Sequence, residues 1–126
     1  MRVEIILTRD PIARPQPAPL DAETGSLVEF FGLVRGTESG QKIEALTYES
    51  YDAMAEKIMR EKIALLQKRH PIQGIRVVHR LGRVPRGEAA IYVGIQSAHR
   101  GEGFRFLQEF MKELKQDVPI WKQVVS

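Results

Sequence analysis

None of the 126 residues is cysteine. That excludes a disulfide framework, a thiolate metal site and a cysteine nucleophile, so any sulfur chemistry must use sulfur carried in by a partner or substrate. No apolar run approaches the roughly 20 residues of a membrane span, and no membrane association is expected. The opening stretch is interrupted by Glu4, Arg9 and Asp10 before an apolar signal segment forms, which makes the cytoplasm the expected compartment. His70, His79 and His99 are scattered, with no carboxylate at a ligand spacing, so no metal site is expected. The only Gly-x-Gly, Gly101-Glu102-Gly103, lacks a Walker lysine pattern, and no nucleophile-elbow motif accompanies a Ser-His-Asp order. The residues call for no cofactor.

What remains is an ordinary globular composition, 43% hydrophobic and 28% charged, of a length that makes one domain spanning 1–126. The net charge of +3 is a mild basic excess that suits a phosphate-bearing ligand or an acidic protein partner.

Residues 2–8 alternate with period two and predict a strand, as do 26–35, 42–50, 75–81 and 89–97. Gly32 inside the second strand marks a bulge or a close backbone approach. A polar turn over 36–40 predicts that the second and third strands form a hairpin with a mobile tip. Residues 11–20 hold four of the seven prolines and read as a surface connector. A helix is predicted over 51–69, with Tyr51, Met54, Ala55, Ile58, Met59, Ile63, Leu65 and Leu66 on its apolar half and Lys62 and Arg69 snorkelling. A second helix is predicted over 98–117, capped by Ser97 and burying Phe104, Leu107, Phe110, Met111 and Leu114. Pro119 ends it, and 120–125 add a short edge strand. The order β-β-β-α-β-β-α predicts a single-domain α+β fold, a mainly antiparallel sheet packed against two long helices, α/β-hammerhead-like.

The last stretch, Lys115 through Lys122, sets two lysines seven residues apart around Pro119-Ile120-Trp121. Trp121 is the only tryptophan, and a large aromatic is costly to leave in water, so it is expected to anchor a docked tail. A lysine beside such an anchor is either partly desolvated and functional or simply solvated. Arg100, at the start of the second helix, and Arg35, before a turn, are candidate phosphate ligands, each with solvation or simple helix capping as the alternative. Of the adjacent His79 and Arg80, alternation sends one inward and the other outward, and a hydrogen-bonded structural histidine is the reading taken. Arg100 and Lys115 lie fifteen residues apart on one helix, about 22 Å at the helical rise. If both serve one small substrate, two copies of the chain must supply them, as a two-fold homodimer would.

In order along the chain stand Phe31-Gly32-Leu33-Val34-Arg35-Gly36, Leu46 to Tyr51 with Met54-Ala55, and His79-Arg80-Leu81-Gly82. Val93 to Arg100, Phe104, Lys115 and Pro119-Ile120-Trp121-Lys122 follow. In this ordered set, covering about residues 25 to 122, the chain resembles the large, catalytic subunit of molybdopterin synthase. The resemblance implies conversion of a cyclic pyranopterin monophosphate into molybdopterin by installing two dithiolene sulfurs. These arrive as a thiocarboxylate on the C-terminal Gly-Gly of a small ubiquitin-like subunit. It implies Lys115 and Lys122 as catalytic residues that also bind substrate, and Arg35, His99 and Arg100 as the pterin-phosphate pocket. It further implies a homodimer of large subunits sharing the pocket across their interface, flanked by two small subunits.

A lysine in such a site either stabilises developing oxyanions as a cation or, when neutral, transfers protons or attacks the thiocarboxylate carbonyl. Two differences from the family pattern stand out. The segment before Gly25 is short and proline-rich where a helix is usual, and Gln123-Val124-Val125-Ser126 follow Lys122 where an acidic residue and a longer tail are usual. The alternatives are a basic α+β RNA-binding module and an inactive homologue. The first needs aromatics interleaved with basic residues on one sheet face, yet adjacent Phe30 and Phe31 must point to opposite faces.

Overall fold

Residues 89–97 are buried at every position, and the computed structural model, which describes residues 1–13 and 20–126, sets them near the middle of the larger sheet. The strands are β1 (Arg2–Thr8), β2 (Ser26–Leu33), β3 (Thr37–Glu38), β4 (Gln41–Lys42), β5 (Ala45–Ser50), β6 (Gly74–Arg80), β7 (Gly82–Pro85), β8 (Ala89–Ser97) and β9 (Ile120–Val125). The helices are α1 (Asp52–Arg69) and α2 (Arg100–Asp117). The main sheet runs β1-β6-β8-β2, a second runs β7-β5-β9, and β3 and β4 form a separate ribbon. Among the described residues, only β1 and β6 pair in parallel; the remaining ladders are antiparallel. Part of the expected proline-rich connector, 14–19, lies outside the described residues.

The helices cover one face of the main sheet. Ala55, Met59, Ile63 and Leu66 of α1 meet Phe106 and Phe110 of α2 over Ile75, Val77, Val93 and Ile95. A second, smaller cluster of Val34, Ile43, Leu46, Val84 and Ala90 lies under β5 and β7. Lys62 ties the helices together through Asp117 at 2.7 Å, and Arg69 reaches Glu109 at 3.4 Å, so both bases at the edge of the apolar face find carboxylates.

Several expectations are corrected. The predicted hairpin of the second and third strands does not form: β2 pairs with β8, and β5 pairs with β7 and β9. Gly32 is the cause. The β2–β8 register shifts at Gly32/Leu33, and a Cβ there would lie 2.7 Å from Ile91 Cγ2. The chain therefore leaves the main sheet after the bulge, makes the β3–β4 ribbon and re-enters in the second sheet. Between the strands predicted at 75–81 and 89–97 lies a further strand, β7, which begins at Gly82 and is followed by a turn at Gly87, at φ of 81° and 85°. Its Pro85 is tolerated because β7 is an edge.

Ser97 does not cap α2. Its hydroxyl donates to the His99 carbonyl at 2.7 Å, and the helix begins after His99 without a side-chain cap. Phe106, absent from the expected stripe, is fully buried, while Phe104 is 56% exposed because it lies about 120° around the helix from Phe110. On α1, Met54 and Leu65 are exposed for a similar reason: half a helical wheel is wider than the stripe a sheet covers.

Candidate functional site

The second sheet stands off the main sheet and α2 far enough to leave an open cavity of about 700 Å³. Its apolar wall includes Phe30 and Ile91 from the main sheet, Met111 and Leu114 from α2, and Leu46 from β5. Its polar lining is Arg35, Glu38, Tyr48, His79, Lys115 and Lys122. Each arrives by a separate piece of local structure. Lys115 occupies the last turn of α2, which Val118 closes by donating its N–H to the Leu114 carbonyl at 3.3 Å. Pro119 then ends the helix, and β9 returns along β5 with Lys122 opposite Tyr48. Arg35 follows the Gly32 bulge, and Glu38 sits in β3.

The tail is docked, though not by burial of its tryptophan. Trp121 is 42% exposed, with its ring against that of Tyr51 at 5.1 Å. The β5–β9 ladder runs from Ser50↔Ile120 to Ala45↔Val125 and holds the segment by its backbone. Instead of an apolar enclosure, Lys122 has a carboxylate beside it: its Nζ donates to Glu38 Oε1 at 3.0 Å. The other Glu38 oxygen lies 3.8 Å from Arg35 Nη2. The hydrogen bond and charge of Lys122, then the charges of Arg35 and Lys115, hold the Glu38 carboxyl below the usual glutamate range against the opposing effect of burial.

His79 and Tyr48 form the inner end of the cavity, their rings 5.1 Å apart edge to face. His79 is buried, and its Nδ1–H donates to the Arg80 carbonyl at 2.8 Å. That bond places the proton on Nδ1 and leaves Nε2 as an acceptor. Burial pushes its pKa down, partly offset by the carbonyl, so the ring is neutral near pH 7. Burial, then the charge of Glu38, pushes the Tyr48 phenol up, so it remains a hydroxyl. Arg80 points away from His79 and pairs with Glu88 at 2.7 Å. Both residues are buried rather than one facing solvent, because Arg80 has a carboxylate to neutralise it.

Of the five residues singled out from sequence, Arg35, Lys115 and Lys122 line the one cavity. His99 and Arg100 do not line it; they are exposed at the far end of α2. Glu38, Tyr48 and His79 were not selected from the sequence as members of this site. The strand alternation around Tyr48 and His79 was visible, but the cavity they enter exists only once β5 and β9 have paired. Phe30 enters the cavity while Phe31 lies on the opposite face beside Tyr92, ring centroids 5.1 Å apart, so the two adjacent phenylalanines do not share a face. Among the described residues, no group of three or more His, Cys, Asp or Glu is placed to hold a metal, and no helix is long and apolar enough to cross a membrane.

A family model described as MoaE protein matches residues 7–117. The molybdopterin synthase catalytic subunit of Salmonella typhimurium (strain LT2) is 39% identical over 101 residues, which span 80% of this chain and 67% of that protein. The one from Oryza sativa subsp. indica is 33% identical over 114 residues, 90% of this chain and 59% of the rice protein. In three dimensions the chain is similar to molybdopterin synthase from Staphylococcus aureus. The TM-score is 0.86 at 31% identity, covering 97% of this chain and 89% of that one.

Proposed function

The chain belongs to the MoaE protein family, and from that premise we propose that it is the catalytic subunit of a molybdopterin synthase. It transfers sulfur from the C-terminal thiocarboxylate of a small ubiquitin-like subunit to cyclic pyranopterin monophosphate, forming the dithiolene of molybdopterin. We place the reaction in the cytoplasm.

The observation that carries this reading is the convergence of Lys115, Lys122 and Arg35 on one cavity with an apolar wall. Both reactants are anionic, one a phosphate ester and the other a thiocarboxylate, and a cavity offering three cationic side chains against one carboxylate suits them. Arg35 presents a planar fork that matches phosphate oxygens. The thiocarboxylate sulfur is the nucleophile toward the pterin, forming a carbon–sulfur bond as a carbon–oxygen bond breaks. Water then cleaves the acyl–sulfur bond and returns the partner's carboxylate. A second thiocarboxylate supplies the second sulfur, so the chain needs no cysteine of its own. Lys115 and Lys122 supply donors for negative charge that develops on oxygen as the carbon–oxygen and carbon–sulfur bonds exchange. The apolar wall of Met111, Leu114 and Phe30 lowers the local polarity and strengthens those interactions.

His99 and Arg100 complete the pocket from a second copy of the chain. Their exposure at the opposite end of α2 supports this, since one subunit cannot bring them to Lys115. The test of the whole reading is reconstitution with thiocarboxylated small subunit and pterin precursor. Dithiolene product is expected from the unaltered chain and a loss of about 100-fold or more from Lys115→Ala, the size of removing one preorganised donor. Unchanged product formation by Lys115→Ala would remove that lysine from the chemistry.

A further inference from the structure

We propose that Glu38 is a positioning residue for Lys122, bracing the lysine from the β3–β4 ribbon so that its Nζ is held over the cavity. The role rests on the sulfur-transfer reading above and adds a residue to it.

Lys122 has little else to fix it. Its side chain is 51% exposed, and a long, flexible lysine stem has many rotamers to give up when it is held in one arrangement. β9 fixes its backbone, but the Nζ lies four methylenes away. The polar contact at that tip is Glu38 Oε1, at 3.0 Å. Glu38 is better held than the lysine, with its side chain only 19% exposed. It sits in a short ribbon whose register is set by Glu38↔Gln41 and Thr37↔Lys42. The turn residues Ser39 and Gly40 both have positive φ, 50° and 79°, as tight hairpins favour. The Ile43 N–H closes the base of the ribbon on the Gly36 carbonyl at 3.0 Å. The second oxygen of Glu38 faces Arg35 at 3.8 Å, so the carboxylate links the two cations that come from different elements.

An ion pair this exposed contributes little to folding. Its consequence is geometric, and that separates positioning from a structural role. In the reconstituted reaction, Glu38→Gln is expected to lower kcat about 10- to 100-fold, the scale of a small misplacement of a reacting group. KM for the pterin precursor should stay within about twofold, and the unfolding midpoint should not move. Glu38→Asp, which keeps the charge on a shorter stem, should recover part of the loss.

A second measurement needs no turnover. In a lysine side-chain 15N spectrum, the Lys122 signal, assigned by its disappearance in Lys122→Arg, should stand apart from the exposed lysines. It should merge with them in Glu38→Gln. If the unaltered protein fails to transfer sulfur, the functional reading falls while the spectrum still decides whether the brace exists. A wild-type kcat in Glu38→Gln overturns the proposal, as does a Lys122 signal indifferent to that substitution. A lowered KM at constant kcat also overturns it, since Glu38 would then only compete with the anionic substrate.

Discussion

Mixed dimers offer the sharpest test of how the pocket is divided. α2 is an uninterrupted helix from Arg100 to Asp117, so Arg100 and Lys115 of one chain are held about 22 Å apart. The cavity beside Lys115, at about 700 Å³, is only about 9 Å on a side if taken as a cube, within the ordinary range for small-molecule sites. A single subunit therefore cannot present both residues to one pterin. Let one chain carry Arg100→Ala and the other Lys115→Ala. With pockets shared across a two-fold axis, one pocket of the heterodimer collects both lesions and the other collects neither. The purified heterodimer should regain about half of wild-type activity, and a random equimolar mixture about a quarter, because only half of its dimers are mixed. Two affinity tags, one on each variant, isolate the heterodimer, and dithiolene formation with the thiocarboxylated partner reads out the pocket. Each parental homodimer should be nearly inactive. A heterodimer no more active than its parents would refute the shared pocket, since lesions confined to separate chains would each disable their own site.

Two further outcomes follow from burial. Phe106→Ala removes a fully buried ring that packs near Phe110, centroids 6.3 Å apart, and should cost about 3–5 kcal/mol in urea unfolding. Phe104→Ala, on the exposed side of the same helix, should stay within about 0.5 kcal/mol. His79 is held neutral by burial, with its folded pKa below the unfolded value of 6.5, so the unfolded chain binds the proton more readily. Its contribution is full above pH 6.5 and is lost as pH falls through that value toward the folded pKa. An NMR titration should place the His79 midpoint below 6.5, and a midpoint at or above it would remove the assigned burial effect.

Periodicity located nearly every long element, because the alternation of 2–8 and the apolar stripes of the two helical stretches are local signals. Pairing was another matter. Neighbouring strands in sequence usually pair, and that default predicts a β2–β5 hairpin. β2 instead pairs along its length with β8, through partners such as Gly32 and Ile91 that lie far apart in sequence. The same non-locality governs the site. Arg35, Lys115 and Lys122 stand out in sequence as parts of an ordered motif set. Glu38 reads as one more charged turn residue until the ribbon places it beside Lys122, and His79 reads as a structural histidine until β5 closes the cavity with Tyr48 opposite it.

Two devices can hold the end of a chain against a sheet: burial of a large side chain, or a backbone ladder. Trp121 suggests the first, yet its ring is half in solvent, so the ladder must carry the position of Lys122. Lys122 is the third of six paired residues. Ile120 and Trp121 are registered before it, Gln123, Val124 and Val125 after it, and Glu44 N–H adds a bond to the Val125 carbonyl at 3.0 Å. Each such bond contributes only about 0.5–1.5 kcal/mol net. Their arrangement on both sides of Lys122 matters more than the sum, since opening of the ladder from its Ala45↔Val125 edge must undo three pairs before the lysine backbone is released. Gln123, Val124 and Val125 thus have a function beyond completing the sheet. They fix the backbone from which the lysine reaches into the cavity, while Glu38 sets where its tip comes to rest.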